Sequence, residues 1–201
     1  MSRPLRAIAA AASLWLGIAS IALAQPAPTP QPAPAPPPMA APAPTPGDPF
    51  GEEITLTPKT IIFIKGSGTW DKAFETLLDT YKSLYAFLDK QGIKPAGPAM
   101  TIYTAANDTG FSFQAAVPIA AEDLKDPPKG DIEVGKSPAG RSLKFTHRGS
   151  YDAMDNTYEA ITNYLDERQL EAQDLFVEEY HTDLFKTPED KLVIDIYVPL
   201  K

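Results

Sequence analysis

An internal repeat constrains this chain more than any other feature. Thr60 to Ile119 and Arg141 to Leu200 match in outline. Each copy opens with a short β-rich stretch, Thr60-Ile61-Ile62-Phe63-Ile64-Lys65 in the first and Ser142-Leu143-Lys144-Phe145-Thr146-His147 in the second. A small-residue turn and an aromatic follow, Gly68-Thr69-Trp70 and Gly149-Ser150-Tyr151, and then a helical segment. Each copy then holds two further strands joined by turn-forming residues, Asn107-Asp108-Thr109-Gly110 in one and Lys186-Thr187-Pro188-Glu189-Asp190 in the other. In the second copy these strands are expected over Leu175–Asp183 and Lys191–Leu200. Each copy closes on Val-Pro and an aliphatic residue, Val117-Pro118-Ile119 and Val198-Pro199-Leu200, where proline ends ladder pairing.

The helical segments carry a clear period. Phe74, Leu77, Leu78, Tyr81, Leu84, Tyr85 and Leu88 recur at three- and four-residue steps, which makes one apolar stripe. Thr69 is the expected cap at its start, and Gly92 stands just past its end. In the second copy Met154, Tyr158, Ile161 and Leu165 form the stripe and Ser150 is the expected cap. Asp152 and Asp155 fall in the first turn, where the helix dipole favours negative charge. A further strand precedes each copy, Glu53–Thr57 and Gly130–Gly135. Neither half has a second layer large enough to cover its own sheet. The expected fold is therefore α+β: a duplicated strand-helix-strand-strand unit, with about eight antiparallel strands, two long helices and a groove where the halves meet about a pseudo-twofold axis.

The residues before the repeat read differently. Met1 to Ala24 has Arg3 and Arg6, then an apolar run to Leu23, then Ala22-Leu23-Ala24, which is the pattern of a secretory signal peptide cleaved after Ala24. The arginines are not adjacent, which argues against twin-arginine export, and no cysteine follows that could carry a lipid. Membrane contact is expected only if this leader stays attached. Residues 25–50 are almost entirely Pro, Ala, Thr and Gln, a disordered, semi-rigid linker. The folded domain spans residues 51–201, with halves at about 51–120 and 130–201, and its expected location is periplasmic or secreted.

Composition removes several functions. The chain has no cysteine, so disulfides, thiol catalysis and thiolate metal sites are impossible. With two histidines and no HExxH pattern, no metal site is assigned and no cofactor is expected. A formal charge of −8 with no basic stripe argues against nucleic acid as a partner and for neutral or cationic small ligands. Gly66-Ser67-Gly68 lacks the lysine and spacing of a phosphate loop, and no serine sits in a Gly-x-Ser-x-Gly elbow.

Phe176-Val177-Glu178-Glu179-Tyr180 draws the functional attention. Alternation puts Phe176, Glu178 and Tyr180 on one strand face and Val177, Glu179 and His181 on the other. A carboxylate between two aromatics suits an aromatic-walled site for an organic, cationic ligand. The same pattern also suits core aromatics with both glutamates solvated. The ordered set Phe145-x-His147-x-Gly149-x-Tyr151, Tyr158, Glu178-x-Tyr180 and Ile196-Tyr197-Val198-Pro199, together with the duplication, resembles the GyrI-like family, the effector-binding domains of some AraC- and MerR-type activators that also occur as stand-alone proteins. The resemblance covers about Glu53 to Leu200.

It implies a small-molecule groove between the halves, with Glu178 facing it, Tyr180 beside it, and Thr101 and Tyr103 at the matching positions of the first half. A regulator of this family would carry a helix-turn-helix unit ahead of the domain. Here a leader and tether precede it, so transcription control is not expected. The candidate ligand-binding residues are Glu178, Tyr180, Tyr103, Trp70, Tyr151, Phe145 and His147, and none is assigned as catalytic. The aromatics equally suit core and helix-entry packing, and His147 suits a structural role at a strand end. His181 is expected exposed, Glu167 and Glu171 solvated, and Asp195 solvent-facing. The leading expectation is an exported module that binds an amphipathic or cationic organic molecule. Two alternatives stay open. One is a small hydrolase of reactive electrophiles that uses the same glutamate and tyrosine. The other is a protein-interaction module with no ligand.

Overall fold

The computed structural model describes residues 50–124 and 128–201, so the leader and nearly all of the linker lie outside the described residues. The first half comprises β1 (Glu52–Leu56), β2 (Thr60–Thr69), α1 (Ala73–Gln91), β3 (Met100–Asn107) and β4 (Gly110–Pro118). The second comprises β5 (Ile132–Lys136), β6 (Gly140–Gly149), α2 (Met154–Arg168), β7 (Phe176–Tyr180) and β8 (Leu192–Pro199). All eight strands form one antiparallel sheet in the order β1-β6-β8-β7-β3-β4-β2-β5. Exchanging the halves reverses this order onto itself, so a pseudo-twofold axis passes between β3 and β7. The first strand of each half is swapped: β1 pairs with β6, and β5 pairs with β2.

That exchange bends the sheet. Thr57-Pro58-Lys59 alone links β1 to β2, the first and seventh strands in the order. In a flat sheet those strands would stand about 29 Å apart, whereas the step from Leu56 to Thr60 reaches at most about 14 Å. Ser137-Pro138-Ala139 imposes the same limit between β5 and β6. The sheet therefore curls, and the two crossovers meet: the Ser137 N–H donates to the Lys59 carbonyl at 2.9 Å, and the Lys59 N–H to Ser137 Oγ at 2.8 Å. Lys59 Nζ also reaches Glu179 Oε2 at 2.6 Å. Glu179 faces away from the helices, so the curl is toward that side. Its hollow is filled by Ile61, Phe63, Met100, Ile102, Ala116, Val177 and Tyr197. The larger core lies between the sheet and the helices, where Leu77, Tyr81, Leu84 and Leu88 of α1 and Met154 and Ile161 of α2 are buried.

Several local expectations are corrected. Thr69 makes no side-chain cap; each helix is instead entered through one 3₁₀ turn, Trp70–Lys72 or Tyr151–Ala153. Ser150 does cap, accepting from the Asp152 N–H at 3.3 Å, and Gly92 ends α1 at φ 65°. The repeat keeps its register in the first strand: Ile61 faces the closing Pro118 as Ser142 faces Pro199 in the second half. β7 stops at Tyr180, short of Asp183, since the Thr182 side chain takes over the Val193 N–H. Neither Glu179 nor Asp195 is solvated: Asp195 accepts from Thr146 at 2.6 Å and contacts His181 Nε2 at 2.8 Å beneath the crossovers. His181 itself is exposed, as are Glu167 and Glu171.

Candidate functional site

Thr101 on β3 and Glu178 on β7 are directly paired across the pseudo-twofold axis. Each lies two residues before a further paired position, so Tyr103 and Tyr180 flank them as equivalents on either side. Their helix-facing side chains point to the place where the two helix entries converge. There, a cleft of about 610 Å³ opens between the starts of α1 and α2. Trp70, Phe74, Tyr103, Tyr151, Tyr158 and Phe176 supply its aromatic walls, and Glu178 lies at its floor. The ring faces of Phe74 and Tyr151 stack across the two halves at 4.9 Å. Trp70 lies over Tyr103 and Phe111, with its indole N–H held by the Asn107 carbonyl at 2.7 Å. It is still 44% exposed at the mouth.

Glu178 is 1% exposed, yet no lysine, arginine or histidine contacts it among the described residues. Its partners are phenols. Tyr158 meets Oε1 at 2.8 Å, while Tyr180, Tyr103 and Tyr151 meet Oε2 at 2.8, 3.1 and 3.1 Å. Behind them, Thr101 bridges Tyr180 at 2.8 Å and Tyr81 at 3.0 Å, and Tyr103 touches Tyr151 at 2.7 Å. The network thus has seven oxygen–oxygen contacts, served by six hydroxyl protons from Tyr81, Thr101, Tyr103, Tyr151, Tyr158 and Tyr180. An ionised Glu178 leaves one contact without a proton, and a protonated Glu178 supplies it. Burial pushes the Glu178 carboxyl above its ordinary value of 4.5, and the phenol hydrogen bonds oppose that shift without cancelling it. Burial, followed by the Glu178 charge, also holds Tyr103, Tyr151, Tyr158 and Tyr180 well above the usual phenol range.

Of the residues expected at a groove, Glu178, Tyr103, Trp70 and Tyr151 come together in the cleft. Tyr180 stands behind the floor and bonds Glu178 from below. Phe145 and His147 lie elsewhere. Phe145 is fully buried between Phe50 and Tyr164, with ring centroids at 4.8 and 5.3 Å. His147 Nε2 lies 3.0 Å from the Ser150 carbonyl, which can only accept, so Nε2 donates, and in the neutral ring Nδ1 accepts from Thr157 Oγ1 at 2.8 Å. That imidazole is buried and pushed below its ordinary value by burial, and it ties α2 to the end of β6. The place of Phe145 and His147 in the family pattern did not say where along the strand the cleft lies.

Sequence reasoning missed Tyr158, Phe74 and an acidic rim of Asp71, Glu75, Asp152 and Asp155, with Lys72 among them. The signal for Tyr158 was its spacing from Tyr151: seven residues is two helical turns, which puts both on one face. Among the described residues no cluster of three or more His, Asp or Glu side chains is arranged to hold a metal ion.

A duplicated α+β scaffold with an aromatic cleft on its pseudo-axis defines a small-molecule-binding domain. The chain belongs to the GyrI-like family, whose small-molecule-binding-domain model matches residues 52–201. No curated protein matches the chain. Among solved structures it is similar to EcmrR in the EcmrR–DNA complex, at TM-score 0.65 and 13% identity over 75% of this chain, and it spans 57% of the EcmrR chain. It is also similar to SAV2435 bound to tetraphenylphosphonium, at TM-score 0.53 and 17% identity over 75% of this chain and 93% of that one. A hydrolase from Listeria innocua aligns at TM-score 0.54 and 13% identity over 76% of this chain and 92% of that one. At these identities the likeness is one of fold.

Proposed function

We propose that the cleft binds an organic cation whose charge is received by Glu178 and whose apolar body lies against the surrounding rings. One observation carries this reading: a carboxyl that is 1% exposed sits at the floor of an aromatic cleft, held only by phenols. A buried carboxyl without a basic partner can ionise at low cost only when a cation comes to it. The aromatic faces add cation–π attraction and apolar contact that a small inorganic ion cannot use. The tetraphenylphosphonium seated in SAV2435 is a ligand of this chemistry.

Binding exchanges a proton for the ligand. Below the raised titration point of Glu178, with the cleft empty, the protonated carboxyl completes the hydroxyl network. As a cation arrives, its field favours the carboxylate, the Glu178 proton leaves to solvent, and Tyr103 and Tyr151 share their hydroxyl protons over the remaining contacts. The same network weighs against hydrolysis. A general base needs a lone pair aimed at water, and three phenols crowd Oε2 while Tyr158 takes one side of Oε1, which leaves Glu178 a single lone pair for that role.

In this proposal the protein acts outside the cytoplasm. The signal-like residues 1–24 direct export, and the proline-rich stretch holds the domain at a distance from whatever retains it. It sequesters or senses its ligand there and does not bind DNA. The test is a titration with tetraphenylphosphonium followed by Trp70 fluorescence. Trp70 is the single tryptophan after residue 24, so the signal reports the cleft mouth. A saturable change is expected; no change at millimolar ligand would sink the proposal.

A further inference from the structure

The cleft carries more negative charge than one cation can answer. Asp71 and Asp152 occupy equivalent places in the two helix-entry turns and face the mouth from opposite halves, joined by Glu75 and Asp155 one turn further on. All four are exposed, and among the described residues none has an ion-pair partner. Acidic residues in first turns are ordinary complements to a helix dipole, so that share must be set aside first. Each helix start is worth about half a positive charge, and Lys72 adds one more, which leaves roughly two negative charges at the rim unanswered. Below them lies Glu178, a buried acid that lines the floor of the same cavity.

We propose that the preferred ligand is an elongated dication: an organic molecule with two positive centres roughly 10 Å apart, one seated on the Glu178 floor and the other held among Asp71, Asp152, Glu75 and Asp155 at the mouth. This rests on the reading of the floor as a cation site and extends it to the class of molecule. The aromatic walls between the two acidic levels accept an apolar linker. The exposed upper charge makes the preference depend on salt, because exposed pairs are screened within about 30 Å at 0.01 M ionic strength and about 3 Å at 1 M.

The test compares octamethonium, with a trimethylammonium at each end of its chain, with octyltrimethylammonium, which has only one. Both are titrated into residues 25–201 by calorimetry, with the Asp71→Asn/Asp152→Asn double variant and Glu178→Gln in parallel. Octamethonium is expected to bind about tenfold more tightly at low salt, with the advantage gone at 1 M salt. In the double variant octamethonium loses severalfold more affinity than octyltrimethylammonium, so the advantage shrinks. In Glu178→Gln both ligands weaken. The salt series on the unmodified chain reads the same effect should the double variant fold poorly. Equal affinities at low salt overturn the dication inference and leave the floor site standing if octyltrimethylammonium still loses affinity in Glu178→Gln. Binding of neither overturns both.

Discussion

Replacing Glu178 with glutamine removes the charge and keeps the shape. A cation resting on the rings of Tyr158 and Tyr103 would lie about 5 Å from the carboxylate. At an effective dielectric of about 20 this attraction is worth about 3 kcal/mol, on the order of a hundredfold in affinity. Part of that is spent in driving the proton off the buried carboxyl, so the net loss in Glu178→Gln is expected between about tenfold and a hundredfold. The proton makes a second signature. The free carboxyl titrates above 4.5, and the bound cation lowers it again, so tetraphenylphosphonium affinity must rise with pH between the bound and the free value and level off above the free value. Within that window each pH unit changes affinity by up to tenfold, and calorimetry in buffers of different ionisation heat registers protons released on binding. Glu178→Gln should show neither the slope nor the release. Full affinity in this variant, with the pH slope intact, would refute the assignment of the charge to Glu178.

Three further outcomes follow from the fold. Burial holds the folded value of His147 below 6.5, so the stability it contributes is present above 6.5 and is lost as pH falls through the folded value; thermal melts from pH 7.5 to 5 should show a steeper decline in the parent than in His147→Gln. A Cβ at Gly110 would stand 2.3 Å from the Gly68 carbonyl oxygen, a backbone atom that cannot rotate away, so Gly110→Ala should cost about 1–3 kcal/mol in urea denaturation and loosen the hairpin that holds the Trp70 indole. Ser137→Ala removes the acceptor of the Lys59 N–H between the crossovers and should cost about 1–2 kcal/mol, with unchanged tetraphenylphosphonium affinity because the crossovers lie on the opposite face of the sheet from the cleft.

Much of the architecture was legible because it is written in local periods. The α1 stripe from Phe74 to Leu88 and the alternation around Glu178 each declare an element and a buried face without knowledge of its partner. The swap of β1 and β5 was not legible. It depends on which distant strand each one meets, and a five-residue segment such as Glu52–Leu56 carries no mark of its neighbour. Glu178 itself was found from alternation and the family pattern. Three of its four tyrosines were found, and Tyr158 was missed because it reads equally well as one more member of the α2 stripe. The rim escaped for a physical reason: an aspartate in the first turn of a helix is already explained by the dipole, and only the convergence of two such turns on one cleft shows the surplus. Phe145 and His147 were placed at the groove by the family pattern; they share its sheet face, but the face is longer than the groove.

The arrangement gives the duplicated scaffold an asymmetric use. At the axis, where a symmetric dimer would present two identical residues, this chain presents Thr101 and Glu178. A pair of buried carboxylates at that spacing would repel. Threonine instead relays hydrogen bonds between Tyr81 and Tyr180 and leaves one acid to meet one charge.

The most direct measurement is a crystal structure of residues 25–201 soaked with tetraphenylarsonium, with the arsenic located by its anomalous signal. The expected result is one arsenic peak in the cleft, about 5–6 Å from the Glu178 carboxylate and ringed by Trp70, Phe74 and Tyr158. An arsenic bound outside the cleft, with Glu178 still enclosed by its four tyrosines, would contradict it.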